Sequence, residues 1–484
     1  MSAPNFAGGT IWTGDNLPVL RGVNDACIDL IYLDPPFNSN RDFAAPIGSE
    51  AAGAAFKDTW TLSDVDVHEH GELADRNPAA GSVIAAACQA HGKSMQSYLI
   101  MMAVRLLEMR RVLKPEGSIY LHCDDAAAPY LRLLMDSIFG KGCFRSEIIL
   151  KRAAAHNDGK QGRKQHGRIY DVLLYYSAGA RWTWNQIFTE YDAAYVDSHY
   201  RHVEAGTGRR FRKGDLTAAK PGGDTRYEWR VKRPAGSAWE ADLADEWTDP
   251  RPGWEYRGVP PYAGRSWAYS KEKMRGFARA GRLVYAGTGM PNYKRYLDEM
   301  PGVPLQNLWT DIPPALGNER TGYPTQKPLA LLERIIKASS KPGDMVLDPF
   351  CGCATALVAA DRLQREWAGI DLSPLAAKLV DERIAKDRGL WGGVTALTEP
   401  PRRTDLGDLP NYRTHRHRLY GEQEGVCEGC QTHFPFRVME VDHMLPRSRG
   451  GTDRRDNLQL LCSGCNRSKG SRTMAEWLAA RETR

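Results

Sequence analysis

No run of about eighteen uninterrupted apolar residues, the length a membrane span needs, occurs anywhere in the 484 residues. A transmembrane helix is therefore excluded, and a membrane is not among the expected partners. Met1 to Thr10 also lacks the basic start and apolar stretch of a signal peptide, so the cytoplasm is the default location. No internal repeat is present, and the length exceeds one ordinary core, so the chain divides into two or more domains. Charge of one sign is scarce: 65 Lys and Arg against 59 Asp and Glu leave a formal +6, with a pI near 8.7. That mild excess suits a polyanionic partner and equally a plain soluble surface. Of the ten cysteines, six are scattered or sit in a glycine turn. The other four form two Cys-x-x-Cys pairs near the end, which is metal spacing for a reducing compartment rather than a disulfide framework.

What is present is an alternation. Apolar runs followed by turn residues at Cys27 to Leu33, Ser118 to Leu121, Asp171 to Tyr176, Met345 to Phe350 and Trp367 to Leu372 read as buried strands. Leu99, Met102, Leu106, Met109 and Leu113 fall three and four apart and predict one face of a helix that stops at Lys114-Pro115-Glu116-Gly117. Pro328 opens a second helix carrying Leu329, Leu332 and Ile336, which Lys341-Pro342-Gly343-Asp344 ends. Strands alternating with helices predict an α/β fold with a doubly wound, mostly parallel, Rossmann-like sheet. Between about residues 186 and 307 this rhythm gives way to a Gly-, Pro-, Arg- and Trp-rich stretch, as in an inserted substrate-reading region. Thr398 to Arg418, with Pro400-Pro401-Arg402-Arg403, reads as a linker. The expected division is a first domain over 1–397, a linker over 398–419 and a tail domain over 420–484.

Asp34-Pro35-Pro36-Phe37 follows a buried strand, at the edge where open α/β sheets bind ligands. The residue types suit a particular chemistry. An exocyclic amine on a nucleobase is a poor nucleophile, because its lone pair is delocalised into the ring. A carboxylate and a rigidly held carbonyl, each accepting one of its protons, draw the nitrogen towards a reactive pyramid. Asp34 and the Pro35 carbonyl fit those roles, and Phe37 offers a face on which a flipped base can stack. A second signal is the strand and small-residue turn Val346 to Ala356, containing Asp348, Phe350 and Gly352, with Asp371 about twenty residues on to accept ribose hydroxyls.

Together with Tyr323-Pro324-Thr325-Gln326-Lys327-Pro328, Thr13 to Leu17 and Phe139 to Ile149, these motifs resemble the permuted β-class DNA amino-methyltransferases over roughly Ile11 to Lys386. The resemblance implies S-adenosyl-L-methionine as donor. Asp15, Asp348, Phe350, Gly352 and Asp371 would surround it, and Thr325, Lys327 and Pro328 would close its methionine end. It also implies a double-stranded DNA partner and a homodimer. Among such relatives Asp-Pro-Pro leans to adenine N6 and Ser-Pro-Pro to cytosine N4. One departure stands out: Cys353 and Ala354 occupy a turn that usually reads Ser-Gly. Cys351 and Cys353 read as packing residues, since amino methylation needs no enzyme nucleophile. Gly208 to Lys213 and Arg226 to Arg233 interleave basic and aromatic residues, as phosphate contacts with stacking platforms do.

In the tail, Cys427, Cys430, Cys462 and Cys465 supply the four thiolates of a closed structural Zn2+ site. Asp442-His443, Asn457 and Asn466 between and after them resemble the HNH endonucleases, ββα-metal enzymes, over about Tyr420 to Arg472. The resemblance implies His443 as general base, Asp442 and Asn466 as ligands of one divalent ion such as Mg2+, and Asn457 as the residue orienting the loop that carries His443. The leading expectation is a restriction-modification enzyme that methylates adenine N6 and carries an HNH nuclease. Two alternatives stay open at this point: an N4-cytosine enzyme whose tail only binds DNA, and a catalytically inactive DNA-binding regulator, against which the retained Asp34 and Asp371 argue.

Overall fold

The computed structural model describes residues 2–37, 76–152, 169–220, 222–244, 251–315, 317–323, 325–389, 393–406 and 411–482, with short pieces at 42–44, 55–57, 73 and 166–167. Pro324 of the Tyr323 to Pro328 motif lies outside the described residues. Two compact units emerge, one built from residues 1–187 and 306–484, the other from Phe188–Leu305. Among the described residues no helix is long and apolar enough to cross a membrane.

The first unit is organised by nine strands: β1 (Thr10–Thr13), β2 (Ile28–Leu33), β3 (Leu113–Cys123), β4 (Phe144–Lys151), β5 (Tyr170–Ser177), β6 (Leu308–Trp309), β7 (Met345–Asp348), β8 (Glu366–Asp371) and β9 (Thr395–Leu397). Their order across the sheet is β6-β4-β5-β3-β2-β7-β8-β1-β9. Neighbours run parallel, except that β5 is antiparallel to both β3 and β4. Its apolar run is continuous because both faces are covered, leaving Val172 to Tyr176 buried.

The helix predicted from Leu99 to Leu113 spans Lys93–Val112, and it is buried nearly all round, with Tyr98, Leu99, Ile100, Met101, Met102 and Ala103 all in the core. The expected stop at Lys114 to Gly117 is instead part of β3, which begins at Leu113 directly after the helix. The pairing of β3 with β2 shifts register between Ile28 and Leu30, opposite Lys114 to Gly117. Pro115 thus falls where the ladder is already interrupted, and its missing N–H costs nothing there. Pro328 caps the helix Leu329–Ser339, whose Leu331, Leu332, Ile335 and Ile336 face the core.

The stretch expected as a linker is anchored over Arg402 to Asp405. Asn24 bonds Thr404 through both its side-chain oxygen and its nitrogen, Asp405 accepts from the Asp25 N–H, and Arg403 pairs with Asp25 and Asp405. Beyond it, the tail is a ββα unit: the antiparallel hairpin Met439–His443 and Leu458–Cys462, followed by the helix Ser463–Lys469. Leu419, Met439, Leu460, Leu461, Met474 and Trp477 form its small core.

The second unit, Phe188–Leu305, is antiparallel throughout its described sheets. Trp229–Pro234 lies between Glu240–Ala241 and Trp254–Val259, and Trp229, Val231, Trp239, Val259 and Trp267 pack its core. Antiparallel hairpins need no crossover helix, which is why the strand-helix rhythm lapses here.

Candidate functional site

Four neighbouring strands end in acids on one edge of the large sheet. β2 delivers Asp34, β7 ends on Asp348, β8 ends on Asp371, and β1 leads through Gly14 to Asp15. Register places them side by side, with Ile31 opposite Leu347, Asp348 opposite Gly369 and Thr13 opposite Asp371. This is the carboxyl edge, where parallel sheets leave an open crevice.

Asp371 accepts from the Gly352 N–H at 2.9 Å and the Ser373 N–H at 2.8 Å. Burial nevertheless pushes its carboxyl above the usual range. Asp348 is 3 % exposed. Its pKa is driven well up by burial and by the charges of Asp34 and Asp371, while the Phe350 N–H at 3.1 Å and Lys327 oppose the rise. The turn between β7 and the helix Thr355–Arg362 is tight: Gly352 takes φ +49°, and a β-carbon there would meet the Tyr323 ring at 3.2 Å. Ala354 adopts the left-handed region at φ +65°, a conformation that glycine takes freely and alanine only with strain. Asp15 accepts from Leu17 N–H and pairs with Arg105 at 2.9 Å, while the Arg105 Nε holds Asn16 and Asn16 donates to the Pro349 carbonyl. The two cofactor-side loops are thereby tied together.

Asp34 is fixed by Lys327, whose ammonium reaches Oδ2 at 2.5 Å. Its Oδ1 is buried and has no hydrogen-bond partner among the described residues. Pro35 is buried, and Pro36 and Phe37 are half-buried. Phe37 has the Lys327 ammonium 5.3 Å from its ring centre and the His122 ring 5.9 Å away. His122 went unnoticed in the sequence. Fully buried on β3, it joins the Tyr32 hydroxyl through Nδ1 at 2.9 Å and Asp171 through Nε2 at 3.3 Å. Asp171 in turn pairs with Arg152 at 3.2 Å. Burial raises the Asp171 carboxyl, but the hydrogen bond and charge of His122, with Lys327 and Arg152, outweigh it and hold the pKa below the usual range. Thr325 stands in the turn before Lys327, and Pro328 at the helix start. Gln326 staples that segment by accepting from Thr321 and donating to the Glu319 carbonyl.

In the tail, the ligand atoms of Cys427, Cys430, Cys462 and Cys465 all lie within 4.8 Å of one another. Trp477 packs so closely that a β-carbon on Gly429 would meet it at 2.7 Å, which explains the glycine inside the first Cys-x-x-Cys pair. His443 joins Asp453 through Nε2 at 2.8 Å, and Asp453 also pairs with Arg447. Tyr412 stands 5.0 Å from the His443 ring. Asn457 bonds the Leu445 N–H and carbonyl and the Thr452 carbonyl, all within the loop that follows His443.

The two residues expected to share a divalent ion are engaged separately. Asp442 accepts from Gln459 at 2.8 Å and from Lys469, whose ammonium lies 3.1 and 3.2 Å from its two oxygens. Asn466 donates to Glu440 at 2.5 Å. Neither Glu440, Asp453 nor Lys469 carried a spacing signal that could have singled it out in the sequence.

Within the second unit, Arg209 pairs with Asp298 and Glu299, Arg210 with Asp197, Arg230 and Lys232 with Asp242, and Arg233 with Glu255. Most of the cations expected to meet phosphate are thus already neutralised internally. Lys213 and Arg226 are exposed and form no ion pair among the described residues.

Residues 28–382 match the family model described as DNA methylase, and residues 427–472 match that described as HNH endonuclease. The Type II methyltransferase M.EcaI of Enterobacter cloacae is 29% identical over 388 residues, covering 79% of this chain and 70% of that protein. The Type III restriction-modification enzyme StyLTI Mod subunit of Salmonella typhimurium is 27% identical over 397 residues, covering 78% of this chain and 54% of its own length. The DNA adenine methyltransferase YhdJ of Escherichia coli is 24% identical, covering 78% and 82%. A solved DNA modification methylase of Thermus thermophilus in complex with S-adenosyl-L-methionine aligns at 16% identity and TM-score 0.37, over 80% of this chain and 98% of that one.

Proposed function

Because the chain belongs to the DNA methylase family and carries an HNH endonuclease domain behind it, we propose that it transfers a methyl group from S-adenosyl-L-methionine to adenine N6 in duplex DNA. One observation carries this reading: Asp34 Oδ1, directly before Pro35-Pro36-Phe37, is a buried acceptor with no partner among the described residues. An unsatisfied buried carboxylate oxygen is costly unless a ligand supplies the missing donor, and an exocyclic amine does so. Asp34 and the Pro35 carbonyl then take the two N–H groups of the amine, and Phe37 stacks on the flipped base. Asp-Pro-Pro and the adenine activity named for the Escherichia coli relative both favour adenine over cytosine.

The residues of the cofactor edge fit the donor. Asp348 and Asp371, whose ionised forms are penalised by burial, gain from a cationic ligand, and the Phe350 to Ala354 turn gives a nucleoside close access to backbone. Asp15, Thr325 and Pro328 complete the enclosure. Bound there, S-adenosyl-L-methionine supplies an electrophilic methyl on a positively charged sulfur. Everything else is positioning by this chain: Asp34 holds the amine, and Lys213 and Arg226 meet phosphate.

For the tail we infer that Cys427, Cys430, Cys462 and Cys465 hold a structural zinc ion, and that His443, oriented by Asp453, is the base of a phosphodiester cleavage. The carboxylate and amide expected to bind a divalent ion do not fit one as they stand, since Lys469 already neutralises Asp442 and Glu440 occupies Asn466.

The test is methyl transfer from labelled S-adenosyl-L-methionine to unmethylated duplex DNA, with nucleoside analysis and a parallel nicking assay. N6-methyladenine that disappears in Asp34→Ala is the expected outcome, with nicking, but not methylation, lost in His443→Ala. Labelled N4-methylcytosine overturns the base assignment, and normal nicking by His443→Ala overturns the role of that histidine.

A further inference from the structure

Lys327 lies 293 residues from Asp34 in sequence, yet its ammonium sits on Asp34 Oδ2 at 2.5 Å. Both side chains are largely withdrawn from solvent, at 14 % and 16 % exposed. The same ammonium lies 5.3 Å from the centre of the Phe37 ring, within cation–π range. One cation therefore touches both the acid and the aromatic of the Asp34 to Phe37 loop. With Oδ2 occupied, the carboxylate is fixed in rotation, and the oxygen left buried without a partner among the described residues is Oδ1.

The neighbourhood explains why a cation is needed. Asp348 feels the charges of Asp34 and Asp371, and Lys327 is the cation that opposes them there; it also lowers Asp171. The lysine is held from its own side as well. Gln326 is bonded to Thr321 and to the Glu319 carbonyl, Glu319 accepts from the Leu329 N–H at 2.5 Å, and Pro328 starts a helix. These bonds hold the backbone from which the lysine springs, so that fixing its tip costs only the rotamer freedom of its own side chain.

We propose that Lys327 is a positioning residue for the target amine: it orients Asp34 and steadies Phe37, rather than closing the methionine end of the cofactor. The proposal rests on the reading of Asp34 as the amine acceptor. Its role is exerted wholly through Asp34 and Phe37, with no bond made or broken by the lysine. An ammonium on one carboxylate oxygen leaves the other as the acceptor for the amine, and a misoriented carboxylate forfeits much of the rate that preorganised acceptors provide.

The experiment compares full-length Lys327→Met, Lys327→Arg and Asp34→Ala, measuring the dissociation constant of S-adenosyl-L-methionine by calorimetry and kcat at saturating cofactor and DNA. Lys327→Met is expected to lower kcat by about 100-fold while the cofactor constant stays within about twofold, and Lys327→Arg to restore about a tenth of the activity. A cofactor constant weakened by about tenfold or more with kcat at saturation unchanged overturns the proposal and returns Lys327 to the cofactor side. Should Lys327→Met fail to give a folded transition on heating, Lys327→Gln reads the same split. Full activity in Asp34→Ala defeats the amine-acceptor reading itself, whereas loss in Asp34→Ala with a normal Lys327→Met defeats only the proposal.

Discussion

The carboxyl edge of the large sheet and the ββα tail are both rich in acids, but they balance them in opposite ways. Along the sheet edge, Asp348 is buried and Asp371 half-buried, both with raised pKa values and no ion pair among the described residues, while Lys327 serves Asp34 and Arg105 serves Asp15. In the tail, Asp442 is matched by Lys469, and Asp453 by Arg447 and His443. Among the described residues the first site is short of positive charge, which suits a cationic ligand. The second is already balanced, so a polyanion has to compete for Lys469 and Arg447 before it can engage the groups beneath them. A carboxylate cluster is thus a binding signal only when its cations have been counted.

The largest expected effect separates the two regions completely. Because the tail buries few apolar side chains, its fold is expected to rest on a metal ion held by the thiolate cluster, and a structural zinc contributes on the order of 10 kcal/mol in small domains of this kind. Cys465→Ser, or exhaustive chelation, is expected to remove the tail's thermal transition and any nicking while methyl transfer persists. Concerted loss of both activities would show that the regions do not fold independently.

A second prediction sets the two kinds of acid against each other. Asp442→Ala leaves the buried Lys469 ammonium without its partner and is expected to destabilise the tail by about 3 kcal/mol. Asp348→Asn in the ligand-free protein is expected to be neutral or stabilising, because it removes a carboxylate that burial disfavours. The pH dependence follows from the raised values of Asp348 and Asp371. The folded state holds protons that the unfolded chain releases, so this stability is fully present below the ordinary carboxylate range and is lost as pH rises through the elevated folded values. Denaturant titrations from pH 4 to 8, comparing the protein with Asp348→Asn, should show the protein losing stability relative to the variant as pH rises, an effect opposed by added S-adenosyl-L-methionine. A difference that does not change with pH, or that changes the other way, would contradict the account of a charge-short edge.

The smallest effect is local. Ala354 at φ +65° carries left-handed strain in the cofactor turn, so Ala354→Gly is expected to stabilise the protein by up to about 1 kcal/mol and to tighten cofactor binding modestly. Unchanged affinity in that variant would mean that the methyl group neither strains nor crowds the turn.

Much of the methyl-transfer edge was legible in sequence because its signals are local. A strand, an acid and two prolines in succession, or a strand, a small-residue turn and an acid twenty residues on, each carry their own geometry. The partners that make the edge work are not local. Lys327 reaches Asp34 from 293 residues away, Arg105 reaches Asp15 from 90, and Asp171 reaches His122 from 49. No pattern in the chain announces such pairings. Pro115 shows a smaller difference: the helix does end just before Lys114 as expected, but Lys114 to Gly117 belong to the strand itself, because an irregular register makes room for the proline. The basic runs of the second unit carry partners that the sequence does not announce either, since Asp197, Asp242, Glu255 and Asp298, which pair with them, lie apart in sequence.

The anchoring of Arg402 to Asp405 on Asn24 and Asp25 has a consequence for reach. Five residues separate Asp405 from Asn411, the first described residue of the tail, and a chain of that length spans at most about 20 Å whatever path it takes. The tail is therefore held close to the methyltransferase body, and a β-carbon on its Gly450 would meet Pro18 and Pro400 of that body at 3.3 and 3.7 Å. A duplex engaged by the body is expected to present the tail with the same few turns far more often than any other. Any nicking is then expected to fall close to the base that is methylated.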